Sequence, residues 1–225
     1  MEILLDSADP SEVREVAKRG LISGITTNPT LYANQAGETS FVDRLHELIE
    51  VSPGHVFTQV IGSQDGGAML RQARWLARQS DKVVVKLPMT AAGIDVVISL
   101  KKEKPSIRLA VTAVSSVAQA LIVGMAGADV VALFNGPLDT VSDSPVEIVA
   151  PVKRIYSARG FRTLILSCGR FPRGVGEYAA AGSDMITLRK EYIELLYDHP
   201  YTDKRLAGFM SDWAGAFGNV TWPEE

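Results

Sequence analysis

The stretch Lys82-Val83-Val84-Val85-Lys86-Leu87-Pro88 decides the fold. Three consecutive valines read as a strand buried on both faces, as in a parallel sheet. Period-two alternation puts Lys82, Val84 and Lys86 on one face, with Lys82 where the strand begins and Lys86 where it ends. An amine held at the end of a buried strand is partly desolvated. Desolvation disfavours the ammonium, lowers the pKa and makes the nitrogen a better nucleophile. The competing reading is that Lys86 snorkels to solvent on its aliphatic stem and does nothing else. The choice between them rests on the rest of the chain.

Working outward from that strand, short apolar runs alternate with helical segments from end to end. Strands are expected at 3–6, 22–26, 55–60, 82–87, 107–112, 129–134, 163–167 and 184–187. Helices are expected at about 10–19, 39–50, 64–79, 90–103, 115–126, 145–158, 172–181 and 189–197. Pro10 and Pro145 read as helix starts. Gly20, Gly127, Gly160 and Gly182 fall between helix and strand, where a left-handed cap is wanted. Eight strand–helix units in about 200 residues argue for an α/β fold of one domain, an eight-stranded β/α (TIM) barrel. An open doubly wound sheet would be supported by a glycine-rich loop after the first strand. The loop here, Asp6-Ser7-Ala8-Asp9-Pro10, contains no glycine. The barrel and its chemistry are expected in residues 1–201. An extra C-terminal helix and tail, 202–225, fall outside the eight units and must pack on something else.

Composition narrows the class. A chain of 225 residues with 46% hydrophobic residues can build one sizeable core. A net charge of -3 without a basic patch argues against nucleic acid or an anionic membrane as partner. No apolar run approaches the length of a membrane span, and the N-terminus lacks the pattern of a signal peptide. Cys168 is the single cysteine, which rules out an intrachain disulfide and fits a reducing cytoplasm. His46, His55 and His199 show no metal-ligand spacing, so a zinc site is not expected.

In a β/α barrel the chemistry collects at the C-terminal ends of the strands. Those ends read Asp6, then Thr26-Thr27-Asn28-Pro29, Gln59, Lys86, Thr112, Phe134-Asn135 and Ser167-Cys168-Gly169-Arg170. Each polar end alone is weak evidence. Together they put one amine among a carboxylate, an amide, hydroxyls and a guanidinium. A Schiff-base enzyme needs that set: a nucleophilic lysine, a group to move protons, and donors to orient a hydroxylated substrate.

These residues resemble a known family. The chain looks like a small transaldolase, of the branch that includes the fructose-6-phosphate aldolases, over nearly its whole length. The resemblance rests on Leu5-Asp6, Gly24-Ile25-Thr26-Thr27-Asn28-Pro29, Val83-Val84-Val85-Lys86-Leu87-Pro88, Thr112-Ala113-Val114, Ala118-Gln119-Ala120 and Asp212-Trp213-Ala214-Gly215-Ala216-Phe217-Gly218. It implies that Lys86 attacks the ketone of a donor sugar and forms an imine. It makes Asp6 the acid/base at the C4 hydroxyl; the alternative for Asp6 is a helix cap, which Asp9 could serve instead. Asn28 is implied to hold the dihydroxyacetone hydroxyls, and an Asx-turn before Pro29 is compatible with that. Gln59 and Thr112 are implied to bind the water lost and regained in imine chemistry, although Thr112 also suits a strand as a β-branched residue. Thr26 either supports this water site or packs. The protonated imine is the electron sink, so no cofactor is implied. Substrates are implied to be sugar phosphates. The small members assemble as pentamers or decamers, with the last helix lying across a neighbour.

Two departures from the family pattern bear on function. The sixth strand ends in Phe134, as in transaldolases, where the aldolases carry a tyrosine; Gln59 instead matches the aldolases, where transaldolases usually carry a glutamate. A phenylalanine cannot protonate the enamine or order water beside it, so Phe134 weighs toward transfer to an aldehyde acceptor over release of free dihydroxyacetone. In the phosphate site Pro137 stands where an arginine is expected and Cys168 where a serine is expected. Ser167, Arg170 and Arg173 remain as binding candidates there, with Arg173 alternatively a solvated helix charge. The expected activity is transfer of a dihydroxyacetone unit between sugar phosphates. The alternatives are a lyase releasing free dihydroxyacetone and, from another class, an inactive scaffold barrel.

Overall fold

A computed structural model describes residues 1–35, 37, 39–62, 64–134 and 146–218. The elements in chain order are β1 (Glu2–Asp6), α1 (Pro10–Ala17), β2 (Gly24–Thr26), α2 (Pro29–Asn34), α3 (Phe41–Val51), β3 (His55–Gln59), α4 (Gly66–Leu76), β4 (Val83–Pro88) and α5 (Ala91–Glu103). They continue as β5 (Leu109–Val114), α6 (Val117–Ala126), β6 (Val130–Leu133), α7 (Val146–Arg159), β7 (Leu164–Cys168), α8 (Pro172–Ala181), β8 (Met185–Leu188), α9 (Lys190–Glu194) and α10 (Pro200–Phe217). The strands form a closed barrel in sequence order, all parallel, with β8 returning to pair with β1. This is the expected TIM barrel. Among the described residues, no helix is long and apolar enough to cross a membrane.

The valine run shows why the sheet is buried on both faces. Val83, Val85 and Leu87 pack outward into the layer shared with the helices, together with Leu5, Ile25, Val56, Val111, Val131, Ile165 and Ile186 from the other strands. Val84 points inward, into a separate plug with Leu4, Phe57, Ala110, Val130, Ala132, Leu166 and Met185. Burying a side chain the size of Phe57 or Leu4 contributes about 1.5–3 kcal/mol. The plug fills the barrel, so it is a core and not a channel.

Period-two alternation then raises a second tier on the plug. Two residues beyond each inward position stand Asp6, Thr26, Gln59, Lys86, Thr112, Phe134, Cys168 and Thr187, one per strand. The expected left-handed positions hold: Gly127 and Gly182 cap α6 and α8 with φ of 77° and 96°, and Gly20 and Gly160 are also at positive φ.

Three expectations change. Lys82 lies before β4 and does not share the Lys86 face. Its amine donates to the carbonyls of Ile49 and Ser52 at 2.9 and 2.8 Å, closing the C-terminal end of α3. The short helix α2 was not foreseen; Pro29 supplies its first turn, and six residues are too few to show a period. The helix after β8 is shorter than the expected 189–197. Asn135, Pro137 and Pro145 lie outside the described residues.

Candidate active site

The polar tier opens into a cavity of about 460 Å³ at the C-terminal end of the barrel, lined by Asp6, Thr26, Asn28, Gln59, Lys86, Thr112, Phe134, Ser167, Cys168 and Arg170 among others. Nine of the ten expected site residues therefore converge on one space, the exception being Arg173.

Lys86 is 7% exposed. Its Nζ donates to the carbonyl of Thr27 at 2.8 Å. That carbonyl is aimed by its own residue, since both the Thr27 amide and its hydroxyl donate to Phe57 O at 2.8 Å. Burial pulls the Lys86 pKa below the ordinary lysine value, while Asp6 first, and Cys168 after it, oppose the shift. A neutral amine can donate one N–H to Thr27 and still present its lone pair to the cavity. The snorkelling alternative is thus excluded.

Asp6 is displaced the other way. Burial raises its pKa, and the Thr26 hydroxyl, Lys86, Arg189 and Arg170 hold it back, in that order. Thr26 Oγ1 donates to Asp6 Oδ1 at 2.8 Å. The cap alternative for Asp6 is removed because Asp9 caps α1, accepting from the Ser11 amide. Among the described residues no carboxylate lies within ion-pairing distance of Lys86, so the two groups act on each other through space. Their pKa values move toward one another, so burial draws each group toward its uncharged form.

Asn28 is the N-cap of α2, its Oδ1 accepting from the Leu31 amide at 3.0 Å. The cap fixes which end of the side-chain amide faces the helix and leaves the NH₂ to donate into the cavity. Thr112 sits where β5 loses register with β6, between Val111 and Val114. Ala113 there has φ 61°, the one non-glycine positive φ among the described residues. Holding alanine in the left-handed region costs about 1–2 kcal/mol, and such strain gathers at functional sites.

The chain matches the transaldolase/fructose-6-phosphate aldolase family over residues 3–217. It belongs to that family. A probable transaldolase of Kosmotoga olearia is 38% identical over 214 residues, covering 95% of this chain and 96% of the relative. Probable transaldolases of Brevibacillus brevis and Aquifex aeolicus are each 36% identical and cover 98% and 96% of their own lengths, again with 95% of this chain.

Within this family member one expectation about the basic end of the cavity needs correction. Arg173 does not line the cavity; its side chain is 90% exposed and pairs with Glu177 one turn along α8, at 2.7 Å. Ser167 lines the cavity, and its hydroxyl accepts from Ser183 Oγ at 2.9 Å. Cys168 and Arg170 line the cavity too, on the inward phase of β7. Burial pushes the Cys168 thiol up to about 11, with Asp6 adding to the rise. At neutral pH it is a protonated thiol, not a nucleophile.

Thr187, Arg189 and Tyr192 also line the transaldolase-family cavity and were missed. Their signal lies in the sequence: Met185, Thr187 and Arg189 continue the inward alternation of the eighth strand.

Proposed function

We propose that the chain is a Schiff-base transaldolase, moving a dihydroxyacetone unit from a ketose phosphate to an aldose phosphate. The observation that carries the reading is the buried Lys86 amine, its pKa lowered by burial, in one cavity with Asp6. The names of the relatives support the same activity.

In this mechanism the Lys86 lone pair attacks the donor C2 carbonyl, and loss of water gives a protonated imine. Asp6 takes the C4 hydroxyl proton as the C3–C4 bond breaks, and the bond electrons pass into the iminium. The aldehyde leaves, and the dihydroxyacetone unit stays as an enamine. An acceptor aldehyde takes those electrons at its carbonyl carbon, and Asp6 returns the proton to the new hydroxyl. Water then hydrolyses the imine. Asn28 holds the dihydroxyacetone hydroxyls. Gln59 and Thr112 hold the water. Phe134 walls the enamine without offering a proton.

The second reading, a lyase releasing free dihydroxyacetone, is favoured by Gln59 alone. Donor incubated without acceptor separates the two, since substantial free dihydroxyacetone favours the lyase. Borohydride reduction in the presence of fructose 6-phosphate, followed by peptide mass spectrometry, tests the class itself. An adduct on Lys86 that disappears in Lys86→Ala is expected. An adduct on Lys82 or another lysine, or none at all, overturns the assignment.

The working form is proposed to be a cytoplasmic homo-oligomer, a pentamer or decamer, in which residues 202–225 pack on a neighbouring subunit. The single cysteine and the bare apolar face of α10 support this.

A further inference from the structure

We propose that Arg189 is the second jaw of an anion clamp, closing with Arg170 on the terminal phosphate of the substrate. This rests on the sugar-phosphate reading above and names the residue that would make it work in this chain.

The placement follows from register. Cys168 on β7 pairs with Thr187 on β8, and the Gly169 amide donates to Thr187 O at 3.0 Å. Arg170 and Arg189 each stand two residues beyond that paired position, at the ends of adjacent strands. Both line the cavity. Both also act electrostatically on the same two interior groups, Asp6 and Cys168, so their charges are directed at the cavity as well as at solvent. Tyr192 continues the wall beside them, with Phe171 against it at 6.4 Å between ring centroids.

Neither arginine has its charge balanced in place. Among the described residues Arg170 makes no ion pair, and Arg189 has only Glu191, at 3.9 Å with both side chains more than half exposed. A pair so exposed and so long contributes little. Arg189 is also the residue before α9, and its side chain makes no capping bond. A polar cap such as Ser or Asp suits that position better, and a cation opposes the helix dipole. Local stability therefore does not explain the arginine, whereas an anion between the two guanidinium groups does. A phosphate dianion offers three terminal oxygens, more than one planar guanidinium can engage. The family pattern expects a second arginine at the position of Pro137, which has no side-chain donor. Arg189 supplies a second charge from the end of β8.

The test uses the full-length enzyme with Arg189→Met and, as a second variant of exposed character, Arg189→Gln. Inorganic phosphate binding is measured by calorimetry, and kcat/KM is compared for glyceraldehyde 3-phosphate and glyceraldehyde as acceptors with a common donor. Phosphate binding is expected to weaken about ten- to a hundredfold in both variants, the scale of a lost charge-assisted contact. The preference for the phosphorylated acceptor is expected to shrink by a similar factor. Unchanged phosphate affinity, or an equal loss for both acceptors, overturns the clamp. Should no acceptor be turned over by the wild type, the transaldolase reading fails, and the calorimetric arm still decides whether Arg189 binds phosphate.

Discussion

The hydroxyls of Thr26 and Thr187 meet at 2.5 Å inside the barrel, across the β1 strand that carries Asp6. Thr26 has one hydroxyl hydrogen, and it is committed to Asp6 Oδ1. Thr187 must therefore be the donor in the contact between them. A chain of two hydroxyls thus ends on the carboxylate and orients it toward the cavity.

The first prediction concerns that chain. The Thr26 hydrogen bond is the largest influence holding the Asp6 pKa down against burial. Removing it in Thr26→Val raises the Asp6 pKa, leaves less carboxylate at a given pH, and moves the acid limb of the pH–rate profile to higher pH. A fall in kcat of about tenfold or more is expected at neutral pH, the scale of one hydrogen bond to a charged group. Thr187→Val should shift the limb in the same direction by less, because it acts through Thr26, and Thr187→Ser should restore it. A limb that stays put in Thr26→Val, with only KM changed, would show that Thr26 merely packs.

Lys86 gives the second. Its pKa is lowered by burial and pushed back up chiefly by Asp6. The free-amine fraction grows as pH rises, so imine formation in a single turnover should increase with pH and level off below the ordinary lysine value of 10.5. Asp6→Asn removes the opposing charge, so the plateau should begin at still lower pH even as C–C cleavage is lost. Rapid-mixing measurement of imine formation, separate from cleavage, reads this directly. A plateau that moves upward in Asp6→Asn would mean that the carboxylate does not face the amine electrostatically as described.

Most of this site was legible because a parallel barrel repeats one rule eight times. Each strand is apolar until its last inward position, so Val84 before Lys86 and Phe57 before Gln59 announce both the plug and the tier above it. What the pattern does not carry is orientation beyond the strand. Ser167 and Cys168 are adjacent, and only the phase fixed by Leu166 decides that the cysteine faces the mouth. Arg170 and Arg173 are equally basic in sequence, yet Arg173 is the second residue of α8, where Glu177 at i+4 holds it in solvent. Lys82 escaped its expected face because it stands outside β4, where the unpaired carbonyls of α3 offer it better partners. Helix α2 was hidden because its cap, Asn28, read equally well as a turn residue.

A third prediction follows from Phe134. Its amide donates to Val114 O at 2.8 Å, which fixes the backbone beside the bulge, while the ring lines the cavity. Phe134→Tyr adds a hydroxyl that can donate a proton or order a water at the enamine carbon. Release of free dihydroxyacetone relative to transfer is expected to rise severalfold with little change in stability, because the ring is 48% exposed. Product partition measured at fixed acceptor concentration checks it. An unchanged partition would assign control to Gln59 or to the acceptor end of the cavity.

The last prediction is assembly. Helix α10 buries none of its residues. Leu206, Phe209, Met210, Trp213 and Phe217 recur at helical spacing along it and are all exposed, Met210 by 70%. A contiguous apolar face of this kind is not left to water by a stable soluble chain, and here its own barrel does not cover it. The expected partner is a second copy, in keeping with the proposed pentamer or decamer. Sedimentation velocity at micromolar concentration should show an oligomer, and Met210→Glu should weaken it by forcing a charge into an apolar contact. Ending the chain near Asp203 should dissociate it altogether while the far-ultraviolet circular dichroism of the barrel persists, since no core residue comes from α10. A wild-type chain that sediments as a compact monomer would end the idea, and α10 would then need a cover other than its own kind.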